Sequence, residues 1–253
     1  MTMDRAGLAE KMVSIAYPVS LVSRRNIVVV DVGCGSGRTV YQLNESGYDA
    51  YGCDLAFKKG EEGIQEDLIA KDRLRLINGP NRTTLPFADA TADIILSDQV
   101  VEHVEDLDVF FREIARIAKP GSVSVHYFPS INKPIEPHVK IPLATRFQSK
   151  TWISIWQCTP FRGVPRPDWR TKGSEAMYQY LKTNTHYRSG RTIKSIADNY
   201  FGEVVWKPKV LLDAMSSRKG ARIIRKIPGG PFLFNWCWSQ LLVLRKPFKD
   251  RVG

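Results

Sequence analysis

Ile27-Val28-Val29-Val30-Asp31-Val32-Gly33-Cys34-Gly35-Ser36-Gly37 is a run of β-branched residues ending in three glycines spaced two apart. β-Branched side chains suit a pleated surface, and an unbroken apolar run suits a strand covered on both faces, as in a parallel sheet. The glycines let the backbone turn tightly and pass close to a ligand. Arg38-Thr39-Val40-Tyr41-Gln42-Leu43 follows, with apolar or aromatic residues at 40, 41 and 43. That pattern predicts a helix that starts at the turn and packs on the sheet.

A dinucleotide fingerprint, G-x-G-x-x-G, would place its third glycine at 38, where the chain has Arg38. The spacing here is G-x-G-x-G, which disfavours a nicotinamide oxidoreductase. Asp54 closes a second apolar stretch, Tyr48 to Cys53. A carboxylate there can accept both hydroxyls of a ribose held by the first turn, so the pair reads as a nucleoside site.

The stretch Val30-Asp31-Val32-Gly33-Cys34-Gly35-Ser36-Gly37 resembles the first motif of class I S-adenosylmethionine-dependent methyltransferases, and Asp54 stands where that family keeps its ribose acid. Leu85-Pro86-Phe87, Ala92-Asp93-Ile94-Ile95-Leu96-Ser97 and Val101-Glu102-His103-Val104 are similar to the family's middle segment, in the same order. The resemblance implies an α/β fold: a Rossmann-like, doubly wound, mostly parallel seven-stranded sheet, as a single domain over 1–253. It implies S-adenosyl-L-methionine as cofactor and no metal. Cofactor contacts would come from Asp31, Gly33, Cys34, Gly35 and Gly37 in the turn, and from Asp54 and Leu55 at the second strand. Asn81 and Arg82, then Ser97, Asp98 and Gln99, complete the implied set. Asn81 stands where the family has an acid that receives the adenine amino group, and an amide oxygen accepts the same hydrogen bond.

Further along the chain, residues 5–22 suit a short amphipathic helix over the domain, and Lys58 to Asp72 a surface helix. Leu74 to Ile77 is a third strand, running into the turn Asn78-Gly79-Pro80-Asn81. Ala92 to Ser97 is the fourth. The helix around Val109 to Ala118 ends at Lys119-Pro120-Gly121, and Ser122 to Tyr127 is the fifth strand. Strands alternating with helices at this spacing predict a doubly wound parallel sheet, with ligands beyond the carboxyl ends of its strands.

From Phe128 prolines break the chain, and tryptophans and arginines interleave. Residues 129–190 are therefore read as an insertion after strand five, a substrate-binding or lid region. Helical signal returns at Glu175 to Leu181. Thr192 to Gly202 predicts a helix, Glu203 to Trp206 a strand, and Asn235 to Leu244 the last strand. Lys207 to Lys226 reads as a packed connector, with an amphipathic surface helix leaning on a membrane as the alternative.

The charge is divided unevenly. Residues 1–130 hold 14 Lys and Arg against 19 Asp and Glu, whereas residues 131–253 hold 23 against 7. A basic half fits nucleic acid, acidic lipid, or a phosphorylated or carboxylated substrate, or else a solvated surface. Cys34, Cys53, Cys158 and Cys237 are scattered without the close pairs of a zinc site, and read as reduced core residues. No early run reads as a signal peptide or a bilayer span, so the expected location is cytoplasmic, with peripheral contact at the inner membrane face as an alternative.

A sulfonium methyl is already activated, so alignment with the acceptor supplies much of the rate. A hydroxyl acceptor must also lose its proton, and a histidine or carboxylate would serve as base. His138 in Ile135-Glu136-Pro137-His138 follows strand five, with Glu136 placed to orient it or bind substrate. His103 follows strand four; His126 and His186 are weaker candidates. The expected function is methyl transfer to an oxygen or nitrogen of a small-molecule, glycan or lipid-linked acceptor. The alternatives are an RNA methyltransferase, disfavoured because Ser97-Asp98-Gln99-Val100 replaces an Asn-Pro-Pro-Tyr type tetrad, and a non-catalytic nucleoside-binding protein anchored to an anionic surface.

Overall fold

A computed structural model of the 253-residue chain describes residues 10, 12–14, 24–77, 83–159, 169, 171–215 and 219–247. Most of the leading segment 5–22, the expected adenine contacts Asn81 and Arg82, and much of the proline-rich stretch 160–170 lie outside the described residues.

The strands are β1 (Val28–Val32), β2 (Asp49–Asp54), β3 (Leu74–Leu76), β4 (Ala92–Asp98), β5 (Ala118–Pro129), β6 (Glu203–Trp206) and β7 (Ser239–Arg245). They form one seven-stranded sheet in the order β3-β2-β1-β4-β5-β7-β6. Strands β1 to β5 pair in parallel, and β7 runs antiparallel to both β5 and β6. The chain order reverses between β1 and β4, which opens a crevice at their carboxyl ends.

The buried strand residues alternate between two cores. On one face Val29, Ile94, Leu96, Val125 and Val243 pack with α1 (Arg38–Glu45), α2 (Glu62–Ala70) and α7 (Pro208–Ala214) through Val40, Leu43, Leu68, Leu211 and Leu212. On the other, Val30, Ile95, Phe128, Leu242 and Leu244 pack with α3 (Leu107–Ile117) and α6 (Gly190–Ala197). Covering both faces is what lets the central strands be almost wholly apolar. Helix α3 begins at Asp106, whose side chain accepts from the amides of Asp108 and Val109.

A third, separate cluster lies in the segment after β5. Val139, Ile141, Ala144, Ile153, Trp169, Met177 and Leu181 bury one another beneath α4 (Lys150–Gln157) and α5 (Ser174–Asn184). The long connection therefore has a core of its own.

Two boundaries differ from the sequence reading, and one connector is packed as it was read. Lys119-Pro120-Gly121 does end α3, but these residues already belong to β5, with Gly121 at φ 80° and a register shift opposite Ala92 and Ile94. The proposed last strand is shorter, because Asn235 to Cys237 complete a helix, α9 (Gly230–Cys237). Gly229 in the left-handed region and Pro231 in the first turn start that helix. The segment Lys207 to Lys226 is two helices, α7 and α8 (Lys219–Lys226), and Leu211, Leu212, Met215 and Ala221 bury it against the sheet.

Candidate active site

The glycine turn is built as its spacing demands. Gly33, Gly35 and Gly37 have φ of 79°, 59° and 80°. A Cβ on Gly33 would stand 2.2 Å from Val100 Cγ2, and one on Gly37 would stand 2.7 Å from Leu74 Cδ1. A side chain at either position meets both a strained backbone and a filled space. Asp54 ties the turn to β2: its Oδ2 accepts from the Gly35 amide at 2.7 Å and its Oδ1 from the Ala56 amide at 3.4 Å. Each carboxylate oxygen keeps a second lone pair for a diol. Leu55 beside it is 49% exposed, an apolar surface at the crevice edge.

Asp31 and Cys34 lie buried beneath the turn. Burial, reinforced by Asp31 and Asp54, pushes the Cys34 and Cys53 thiols far above their ordinary range, so both are inert core thiols.

At the end of β4 the side chains divide. Ser97 is fully buried and its Oγ lies 2.7 Å from His126 Nδ1, so its side chain serves the core. His126 packs against Phe110 and Phe111, and burial holds its pKa down to about 3. The His126 ring belongs to this core. Gln99 takes φ 59°, unusual for a residue with a side chain, held by its amide bonding to the Tyr127 carbonyl at 2.8 Å. Its buried Nε2 has no hydrogen-bond partner among the described residues. Asp98 sits half-buried beside it.

The base candidates meet across the crevice. After β5 the chain folds back on itself: the Glu136 amide bonds the Ile141 carbonyl at 3.0 Å and the Leu143 amide bonds the Pro134 carbonyl at 2.8 Å. This loop turns Glu136 and His138 inward, where both are buried. Glu136 Oε2 accepts from the amides of His138 and Val139, each at 2.6 Å. Its Oε1 lies 2.6 Å from His138 Nδ1 and accepts from the Tyr187 hydroxyl at 2.7 Å. Burial alone would raise the Glu136 carboxyl, but these hydrogen bonds outweigh it and hold the group below its ordinary value. An ionised Glu136 makes His138 Nδ1 the protonated nitrogen and leaves Nε2 as the basic one.

The His103 ring stands 5.0 Å from that of His138, edge to face. His103 Nδ1 bonds the Asn184 carbonyl, so that nitrogen carries the proton. Desolvation, with His138 adjacent, lowers its pKa. His186 donates its amide to the Glu102 carbonyl at 2.6 Å. Arg188 binds the Val104 carbonyl at 2.8 Å. Together they clamp the turn holding His103.

Two contributors, Glu102 and Tyr187, were given no role in the sequence reading, and a third was named without its conformation. Glu102 is buried with neither carboxyl oxygen bonded among the described residues, and burial raises its pKa to about 8. Tyr187 comes from beyond α5 and carries no motif. Gln99 was named, but its backbone strain has no sequence signature.

Residues 30–125 match the family model described as "Methyltransferase domain". Over that stretch the chain is similar to class I S-adenosylmethionine-dependent methyltransferases. Norajmaline N-methyltransferase of Rauvolfia serpentina is 32% identical over 97 residues, 37% of this chain and 33% of that protein. Ubiquinone biosynthesis O-methyltransferase of Pelagibacter ubique is 26% identical over 131 residues, 52% of each chain. The match thus spans a third to a half of these curated relatives. The fold is shared with an S-adenosylmethionine dependent methyltransferase from Mesorhizobium loti, with a TM-score of 0.57 at 14% identity, covering 97% of this chain and 100% of that one.

The crevice fits the family's cofactor. A glycine turn that lets a ligand come close to the backbone, an acid at the end of β2 with lone pairs to spare, an exposed Leu55 and a buried Gln99 amide unpartnered among the described residues supply the contacts it needs. Among the described residues no helix is long and apolar enough to cross a membrane, and no cluster of His, Cys, Asp and Glu would hold a metal.

Proposed function

We propose that this chain transfers a methyl group from S-adenosyl-L-methionine to a protic oxygen or nitrogen of a small-molecule acceptor, with His138 as general base. The observation that carries the reading is the Glu136–His138 pair: a buried carboxylate 2.6 Å from Nδ1 fixes the tautomer and leaves Nε2 as the basic nitrogen. An acceptor hydroxyl or amine must shed a proton as it attacks, and an oriented imidazole takes it. A carbon nucleophile without an ionisable proton has no need of such a pair.

The cofactor supplies an electrophilic methyl on a sulfonium, and the protein supplies position. The turn from Gly33 to Gly37 lets the amino-acid end approach the backbone closely, Asp54 accepts the ribose hydroxyls, and Leu55 covers the adenine. His103, 5.0 Å from His138 across the mouth, lines the acceptor's approach and positions it through Nε2. Tyr187 holds Glu136 in place. The segment 129–190 brings both base and lid to the crevice, which favours an acceptor small enough to be enclosed; a glycan or lipid-linked acceptor would enter by its terminal group. Nothing in the crevice favours RNA over these beyond the charge of the second half.

The test has two arms. Calorimetry with S-adenosylhomocysteine should give saturable binding at one site. Labelled S-adenosylmethionine incubated with cell extract, then fractionated into small molecules, lipid, polysaccharide and nucleic acid, should label the first of these. Binding without transfer to any fraction would leave a non-catalytic nucleoside-binding protein, and label in the nucleic acid would restore the RNA reading.

A further inference from the structure

Helices α8 and α9 form a hairpin through Ile227-Pro228-Gly229, and only its inner side is used by the fold. Ala221 and Phe234 are buried in the sheet's core. The two helices approach so closely that a Cβ on Gly230 would lie 1.8 Å from the Ile224 carbonyl oxygen. The outer side is apolar and bare: Phe232 is 74% exposed, Ile223 63% and Trp236 61%, with Ile227, Leu233 and Trp238 exposed around them. A soluble surface does not gather large side chains this way without an occupant.

The charge around the hairpin identifies one. From Ala214 to Lys249 the sequence contains eight Lys and Arg and no Asp or Glu, and Asp213 just before that stretch pairs with Arg225 at 3.2 Å. Arg225 and Lys226 are exposed in the last turn of α8, next to the apolar tip. Aromatic and aliphatic side chains flanked by cations are the composition that settles at the headgroup level of an anionic bilayer. A second copy of the same face would set like charges against each other, which disfavours self-association.

The hairpin is also fixed relative to the crevice. The Trp236 carbonyl accepts from Ser130 Oγ and, at 3.3 Å, from Asn132 Nδ2, and the Trp238 carbonyl accepts from the Ser130 amide at 3.2 Å. Ser130 and Asn132 follow the carboxyl end of β5 and lead into the loop bearing Glu136 and His138. The bare face therefore borders the edge of the sheet where the crevice opens.

We propose that the tip of this hairpin docks on an anionic lipid bilayer, with Phe232, Leu233 and Trp236 entering the headgroup region and Lys226 meeting lipid phosphates. The surface stands apart from the methyl-transfer reading, since lipid binding requires neither cofactor nor acceptor. The purified full chain should sediment with vesicles of phosphatidylcholine mixed with phosphatidylglycerol, weakly or not at all with phosphatidylcholine alone, and should be released by salt. The double variant Phe232→Ser/Trp236→Ser should lower that partitioning by roughly 100-fold, because two apolar anchors are lost. Its melting temperature and S-adenosylhomocysteine affinity should stay at the parent values, since both side chains are exposed. Absence of binding to the anionic vesicles, or equal binding by the double variant, overturns the proposal. So does a lipid-free dimer that the double variant abolishes, which would make a second copy the occupant.

Discussion

In the proposed reaction His138 and Glu136 divide one task between them: the imidazole takes the proton and the carboxylate keeps the ring oriented. His138→Ala should lower kcat by about 100-fold or more, the usual scale for losing a positioned base. S-Adenosylhomocysteine affinity should not move, because the cofactor turn lies on β1 and β2. Glu136→Gln should cost less, roughly tenfold, since an amide oxygen still accepts from Nδ1 but the charge is gone. Single-turnover kinetics with a labelled methyl group would measure both, and parental turnover in His138→Ala would remove it from the mechanism. Glu102 offers a second measurement. Burial raises its carboxyl to about 8, so the folded chain keeps a proton that the unfolded chain has released above the ordinary carboxylate range. Stability contributed by that proton is full below the unfolded value and lost as pH rises toward 8. Glu102→Gln cannot titrate, so its melting temperature relative to the parent should rise between about pH 5 and about pH 8.5, by roughly 2–4 °C for each kcal/mol released. A gap that stays constant across that range would mean the carboxyl is already ionised. Asp54 and Glu136 were readable from sequence, one as an acid closing an apolar strand and the other as an acid two places from a histidine. Glu102 was not, since its burial comes from residues 185–188 folding over it, more than eighty positions away.

The elements most legible in the sequence are those whose two faces meet different requirements. β1, β2 and β4 stand close to where the apolar runs put them, and the three glycines mark the turn because no other residue fits there. Gly33→Ala tests this at the level of the turn. Its Cβ would fall 2.2 Å from Val100 Cγ2 at a φ of 79°, so Val100 and the end of β4 must shift. We expect the cofactor dissociation constant to rise by at least about tenfold and the fold to lose roughly 1–3 kcal/mol of strain-related stability. Calorimetry and chemical denaturation would report the two, and unchanged cofactor affinity would place the ligand away from this turn. α9 and β7 were run together because Phe232 to Leu244 is a nearly continuous apolar stretch. Such a run does not reveal its own period, and only its length, too great for one strand, hinted at the break that Trp238 makes. β5 began earlier than expected because Gly121 and the register shift beside Ala92 absorb a proline that would otherwise stop a strand.

At the scale of the whole molecule the chain keeps its glycine turn and its proposed base on different cores. The glycine turn hangs on the sheet, packed by α1 and α2, whereas Glu136 and His138 belong to the segment whose own cluster is built from Ile141, Ile153, Met177 and Leu181. The sequence signalled the insertion by its prolines and its length, but not this cluster, because its members are spread over forty positions with no shared period. The separation makes a prediction that neither core makes alone. Ile153 is fully buried in the cluster, and Ile153→Ala should cost about 2–5 kcal/mol there through lost burial and a cavity. The loss should appear as faster hydrogen exchange in α4 and α5, with the amides of β1 and β4 still protected. Turnover should fall, because the loop carrying His138 rests on Val139 and Ile141 in the same cluster. S-Adenosylhomocysteine affinity should hold within about twofold, since among the described residues the cluster is separate from the core that packs the glycine turn. A proportional loss of cofactor affinity and of exchange protection in β1 would show instead that the two cores open as one cooperative unit, with the base and the cofactor positioned by the same packing.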